Sequence, residues 1–275
     1  MPVIATNTAA NSALRYLNLN SDTESSITSK LASGSRITKA SDDASGLAIG
    51  TRIQSDVTVL GQAATNASQA TAILQTADGG LARISDILQR MKSLATQSYS
   101  GSVTDNERAY ITSEYSELMK EIDGIASSTR YNGVSLLDGT GVYASGVDFM
   151  VGTSTSDVIQ VKIADVDSTA LGINSSAVGT SATASSAATA LDTAIGKISS
   201  ARASVGASMS RFDFRSQTIA TSEENLSSAQ SAVMDADVAS EKSKLASADV
   251  KAQAAIAALT QANSMPQNLL SLLKS

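Results

Sequence analysis

Stepping alternately by three and four residues from Ile49, the chain meets Ile53, Asp56, Leu60, Ala63, Ala67, Ala70, Leu74, Ala77, Leu81, Ile84, Leu88, Met91 and Ala95, and only Asp56 in that series is polar. A sustained step of 3.5 residues is the mark of a helix that lays one apolar stripe against other helices and supercoils with them. The pattern predicts a helix over 46–95, roughly fifty residues or on the order of 75 Å of rod at 1.5 Å per residue. The same rhythm returns in Leu191, Ile195, Ile198, Arg202, Val205, Met209, Phe212, Ser216, Ile219, Glu223, Leu226, Gln230 and Val233. A shorter stripe, Ile111, Tyr115, Leu118, Ile122 and Ile125, predicts a third helix after the turn at 99–104, with Asp105 as its cap, folded back antiparallel on the first rod helix.

The two ends of the chain are helical but poor in large side chains. Residues 6–32 carry Ala10, Ala13, Leu17, Ile27 and Leu31 on one face, and Gly34 is placed to end the helix in a left-handed conformation. Residues 240–264 carry Leu245, Ala248, Ala252, Ala255, Leu259 and Ala262 in register. Burial contributes only about 25 cal/mol per Å2 and ordering a residue costs about 1 kcal/mol or more, so stripes this thin need partners. Between the helices, 134–137, 147–151 and 158–163 alternate like short strands, and 174–186 is almost all Ser, Ala, Thr and Gly, suited to a surface loop or a frayed helix start. Gly79 and Gly80 predict a soft point in the long helix, and Ser41 or Asp42 its N-cap. The order is weak helix, strong helix, short helix, β insert, strong helix, weak helix.

Composition sharpens this picture. The 275 residues include 3% aromatics, no Trp and two prolines, and the 42% hydrophobic fraction is carried largely by Ala, which packs helices thin and close. A net charge of −6 and a pI near 4.7, without a basic run, argue against nucleic acid as a partner. No stretch approaches the roughly eighteen apolar residues of a membrane span, and the N-terminus lacks the features of a cleaved secretory signal. With neither His nor Cys, the commonest general base and metal ligands are missing, and no phosphate loop or nucleophile elbow appears, so no enzyme, cofactor or metal is expected. Asp42 with Asp43 and Asp235 with Asp237 are read as helix caps and not metal pairs. Arg202 and Glu223, on the apolar seam, either fix register by pairing or reach to the helix edge.

Several blocks, in order, resemble the bacterial flagellins. Residues 31–51 (LASGSRITKASDDASGLAIGT), 73–95 (ILQTADGGLARISDILQRMKSLA), 130–137 (RYNGVSLL, with Tyr131 where the family has Phe), 198–212 (ISSARASVGASMSRF), 224–237 (ENLSSAQSAVMDAD) and 261–274 (QANSMPQNLLSLLK) each match a block of that family. The resemblance implies a mainly α fold: a long antiparallel helical rod or coiled coil, a small β element mid-chain, and the N- and C-termini paired in a helical hairpin. It implies a terminal domain of 1–45 with 234–275, a rod domain of 46–137 with 187–233, and a surface insert at 138–186 too short for the large outer domains of many flagellins.

The implied function is a structural subunit that self-assembles into the extracellular filament, exported through the flagellar type III apparatus without a cleaved signal. Implied partners are other copies of the chain, cap and junction proteins and a secretion chaperone. Leu17, Ile27, Leu31, Leu245, Ile256, Leu259 and Leu272 are the expected assembly residues, and Gln89, Arg90, Leu94 and Glu114 match the family's innate-receptor segment. The alternatives are a hook-filament junction protein and a cytosolic coiled-coil scaffold.

Overall fold

A computed structural model describes residues 6–273, with side chains described for 6–266. Its elements in chain order are α1 (Thr8–Ser33), α2 (Ala44–Tyr99), α3 (Asp105–Ser128), β1 (Arg130–Tyr131), β2 (Val134–Ser135), α4 (Val142–Ser145), β3 (Val147–Met150), β4 (Val158–Val161), α5 (Ser168–Leu171), α6 (Ser181–Met234) and α7 (Val238–Leu273). The fold is mainly α, with two small antiparallel sheets, β1 on β2 and β3 on β4. The chain divides into two compact units. Unit 1 comprises 1–56 with 225–275, and unit 2 comprises 57–224.

In unit 2 every stripe position of α2 from Leu60 to Ala95 is buried. On α6 the buried series is Ala187, Leu191, Ala194, Ile198, Ala201 and Val205, then Phe212 and Ile219. Ala194 and Ala201 thus take the places that the three-and-four step assigns to Ile195 and Arg202, because a methyl lets the helix backbones approach closely. Arg202 lies on the rim, where its Nε donates to Asp78 Oδ1 at 2.9 Å and Nη2 to Oδ2 at 3.4 Å. That bonding and the Asp78 charge hold its guanidinium more firmly protonated than usual. Lys92 pairs with Asp192 in the same way. Two such pairs fix the register of α2 against α6.

α3 starts in a capping box. The cap is Thr104 and not Asp105: Glu107 N–H donates to Thr104 Oγ1, and the Thr104 N–H donates to Glu107 Oε2 at 2.7 Å. These donors hold the Glu107 carboxyl below its usual range. Tyr115 is buried against Ser176, its hydroxyl 2.6 Å from Ser176 Oγ, and burial pushes its phenol up.

The β insert closes over α2 and α6. Asn132 and Gly133, both at positive φ, turn β1 into β2, so that Leu136 and Leu137 enter the core. β3 pairs with β4 from Val147↔Val161 to Met150↔Val158. Phe149 presents its ring edge to Phe212 with centroids 5.9 Å apart, and Asn66 Nδ2 donates to the Met150 carbonyl. The polar stretch 174–186 is a docked segment as far as Thr180, with Val178 buried, before α6 begins at Ser181.

α2 runs unbroken through Gly79 and Gly80, and the two glycines differ. A β-carbon on Gly79 meets nothing within 4 Å, whereas one on Gly80 lies 2.7 Å from Leu137 Cδ1 and from Thr129 Oγ1. Gly80 is therefore the gap into which the end of α3 and the β1–β2 hairpin pack. Gly79→Ala is expected to stabilise unit 2 by about 1 kcal/mol through helix propensity, and Gly80→Ala to destabilise it by about 1–3 kcal/mol through overpacking. Urea unfolding of the two variants checks the opposite signs.

Candidate functional site

Unit 1 is built on α1 packed along α7. The residues at that contact are small, with Ile27, Ala248, Ala255 and Ala262 buried. Glu241 is buried as well and holds Lys244 at 2.6 Å. Two helices cover only one face of each other, and several large apolar side chains are left exposed among polar ones. Leu14, Tyr16 and Leu19 on α1, and Val250, Ile256 and Met265 on α7, stand exposed, Leu19 by 61% and Val250 by 66%. An open groove of about 840 Å3 runs between the helices, lined by Leu19, Thr23 and Ile27 on one side and Lys244, Ala248 and Lys251 on the other. Exposed apolar surface of this extent on one element is the mark of a partner surface.

Of the expected assembly residues, Ile27 is buried inside the hairpin. Leu17, Leu31, Leu245 and Leu259 are half-buried along its edges, and Ile256 is 51% exposed. Leu272 lies outside the residues whose side chains are described. The exposed residues Leu14, Tyr16, Leu19 and Val250 do not follow from the inner stripe. Leu19 lines the groove beside Ile27, Leu14 and Tyr16 lie on other sides of α1, and Val250 lies across α7 from its buried alanines.

Both ends of the hairpin are tied by polar contacts that the hydrophobic pattern does not signal. Asn7 caps α1 by accepting from Ala10 N–H at 3.0 Å, and its Nδ2 donates to the Ala262 carbonyl at 2.7 Å. That carbonyl needs a donor because the residue four positions on is Pro266, which has no N–H and lies inside α7. α7 thus runs on through Pro266 instead of ending near Ser264. At the other end the two connecting loops grip each other. The Arg36 N–H and Ser35 hydroxyl donate to the Met234 carbonyl, the Arg36 guanidinium donates to the Val233 carbonyl at 2.9 Å, and Ala236 N–H donates to Gly34 O. Gly34 takes φ 70°, the left-handed C-terminal cap the sequence calls for.

One member of each aspartate pair caps a helix, and Asp235, read as a cap, instead accepts from the Ser231 hydroxyl at the end of α6. Asp43 Oδ1 accepts from Gly46 N–H at 2.8 Å and caps α2. Asp42 instead accepts from the Thr38 and Lys39 N–H groups, which holds its carboxyl below the usual range. Asp237 accepts from Ala239 and Ser240 N–H at the start of α7. Among the described residues no group of three or more acidic side chains converges as a metal site, and no helix is long and apolar enough to cross a membrane.

In unit 2, Gln89 is exposed and Arg90 meets Glu114 at 2.6 Å across α2 and α3. Leu94 is 2% exposed and belongs to the core beneath them.

Residues 4–141 match the bacterial flagellin N-terminal helical region, and residues 188–273 the bacterial flagellin C-terminal helical region. The chain is 34% identical to a flagellin of Listeria monocytogenes over 99% of both chains. It is also 34% identical to a flagellin of Bacillus subtilis over 98% of both. A flagellar filament 30.7 kDa core protein of Treponema maltophilum is 33% identical, over 98% of this chain and 99% of the other. Among solved structures, a Bacillus cereus flagellin crystal structure superposes with a TM-score of 0.51 at 33% identity, covering 56% of this chain and 88% of the other. A putative flagellar hook-associated protein of Vibrio parahaemolyticus shares the fold, with a TM-score of 0.58 at 13% identity over 70% of this chain and 99% of the other. With both of its helical ends matched and whole-length relatives a third identical, the chain belongs to the bacterial flagellin family.

Proposed function

We propose that this chain builds the flagellar filament by folding its terminal hairpin against other copies of itself. It is a structural subunit of the extracellular bacterial filament that serves motility, and not an enzyme. The observation that carries the mechanism is the set of large apolar side chains left exposed on α1 and α7, with Leu19 and Val250 more than half exposed. Burying a large aliphatic side chain contributes about 1.5–3 kcal/mol, so a few such residues from each copy outweigh the cost of bringing copies together.

The half-buried edge residues Leu17, Leu31, Leu245 and Leu259, together with Ile256 and Leu272, are assigned to the same contacts. Cap and junction proteins, a secretion chaperone that covers the terminal helices before assembly, and type III export without a cleaved signal complete the reading. An unpartnered hairpin with exposed apolar residues is a suitable chaperone ligand.

Purified protein brought slowly to high salt and viewed by negative-stain microscopy tests the function. Long helical fibres are the expected result. Short collars that stop growing identify a junction protein instead, and a chain that stays monomeric inside fractionated cells identifies a scaffold.

A smaller proposal concerns Gln89, Arg90 and Glu114, whose exposed ion pair forms a contact for an innate receptor supported from beneath by Leu94. The Arg90→Ala, Glu114→Ala double variant is expected to lose at least about tenfold in affinity for a receptor ectodomain, as hot-spot arginines do. Unchanged affinity refutes it.

A further inference from the structure

The sequence contains a single Asn-Gly dipeptide, Asn132 with Gly133, and it forms the tip of the β1–β2 hairpin. Both residues are exposed, and they take φ 49° and φ 79° between the paired residues Tyr131 and Val134. A two-residue loop with both φ values positive is a type I′ turn. A β-carbon built on Gly133 meets nothing within 4 Å, so the space over the turn is open to water. We infer that Asn132 is a site of spontaneous deamidation that the folded turn holds shut, and that one of the two products spoils the turn for good.

The reaction needs no partner but water. The Gly133 backbone nitrogen, having lost its proton to solvent base, attacks Cγ of Asn132 and closes a five-membered succinimide. The Cγ–Nδ2 bond breaks, and ammonia leaves with a proton taken back from solvent. One water then opens the ring. Addition at Cγ restores the ordinary main chain and leaves aspartate at 132. Addition at the main-chain carbonyl leaves isoaspartate, in which the chain runs through the former side chain. Nothing is oxidised or reduced. Glycine is the residue that allows the attack, because it sets no β-carbon beside the attacking nitrogen.

Ring closure makes a geometric demand that the fold refuses. The ring contains Cβ of Asn132 and the nitrogen of Gly133, and these must lie nearly eclipsed about the Cα–C bond that joins them. The first central residue of a type I′ turn has ψ of about +30°, the mirror image of a type I turn, which holds that nitrogen about 150° away from Cβ. No side-chain rotation brings Cγ to it. Turning ψ far enough breaks the pairing of Tyr131 with Val134. That pairing is continuous with the Leu136 N–H bond to the Thr129 carbonyl at 3.0 Å and with the buried side chains of Leu136 and Leu137. The packing of the hairpin over Gly80 is therefore what keeps the dipeptide unreactive.

The two products differ on refolding. Aspartate suits the first position of a type I′ turn as asparagine does. Isoaspartate adds a carbon to the main chain inside a two-residue loop. Tyr131 and Val134 then no longer face each other, and Leu137, whose Cδ1 fills the gap over Gly80, is displaced.

The full chain is held at mildly alkaline pH in heavy-oxygen water, one sample in buffer and one in guanidinium chloride. Mass spectrometry that locates the changed residue follows Asn132 in both. Deamidation of the folded chain is expected to be at least about tenfold slower, because it proceeds only from the open fraction of the hairpin. Equal rates overturn the inference, and so does an Asn132 that survives in denaturant. The aspartate and isoaspartate chains are then separated, returned to buffer and unfolded again. The aspartate chain is expected to match the denaturant midpoint of fresh protein and the isoaspartate chain to fall below it. Equal midpoints for the two overturn the second half of the inference. Asn132→Gly keeps two residues suited to positive φ and has no side-chain amide, so it is expected to refold fully after the same incubation. A loss as large in that variant places the damage elsewhere and overturns the inference.

Discussion

A chain lacking residues 1–35, or one lacking residues 240–275, is expected to stay monomeric at concentrations and salt where the full chain forms fibres. The first deletion removes α1 and with it the cover over Ala248, Ala255 and Ala262, and it takes Gly34 and Ser35 out of the grip on α6 and α7. The second removes the cover over Ile27 and most of the outward residues of α7. Either way the remaining terminal helix has a thin apolar stripe and no partner, and a lone amphipathic segment of that kind does not repay the cost of ordering. Unit 2 keeps the whole stripe from Leu60 to Ala95, so its helices are expected to survive in circular dichroism. Sedimentation of each truncated chain reads the result, and normal fibres from either one refute the role of the hairpin.

Asn7→Ala is expected to destabilise unit 1 by about 2–4 kcal/mol. The loss of a helix cap accounts for about 1 kcal/mol, and a buried carbonyl left without a donor for about 1–3 kcal/mol more. Asn7→Asp separates the two contributions. It still caps α1, but it has no N–H for the Ala262 carbonyl and sets a carboxylate against it, so it is expected to recover little of the loss. Pro266→Ala restores a donor within α7. In that background the cost of Asn7→Ala is expected to shrink to that of the cap, giving a coupling of about 1–3 kcal/mol between Asn7 and Pro266. Hydrogen exchange of the α1 amides, or urea unfolding of the four chains in the cycle, measures it. Additive costs refute the account of Asn7 as the donor that replaces the missing Pro266 N–H.

The long helices were legible because their stripe is long. Thirteen or so positions at one spacing leave little freedom in where α2 lies, and from Leu60 onward each is buried as the spacing requires. The same rule misplaces part of the α6 seam. Ile195 and Arg202 are larger than Ala194 and Ala201, yet tight helix packing selects the smaller residue, and a hydrophobic count cannot see how near the opposite backbone comes.

Caps were legible as a class and not as individuals. The stretch 41–43 offers three candidate side chains, and the choice of Asp43 over Asp42 depends on the turn at Thr38 and Lys39, which claims Asp42 first. Asp105 draws the eye as a cap by its residue type, yet Thr104 with Glu107 three residues on completes the capping-box pattern, a signal present in the sequence. The Asn7 contact had a signal too: a proline inside an apolar helical pattern frees the carbonyl four residues back. The identity of the donor was out of reach, because Asn7 and Ala262 are 255 positions apart.

That separation has a temporal consequence. The hairpin joins the first helix of the chain to the last, and the grip of Arg36 on Val233 spans 197 positions. Chain closure over such distances comes after local structure has formed, so a polypeptide delivered from its N-terminus first holds α1 without its mate until the final residues arrive. For a subunit delivered in that order the first segment to emerge is the last to be paired, and the nascent chain spends its whole passage unable to set its own ends.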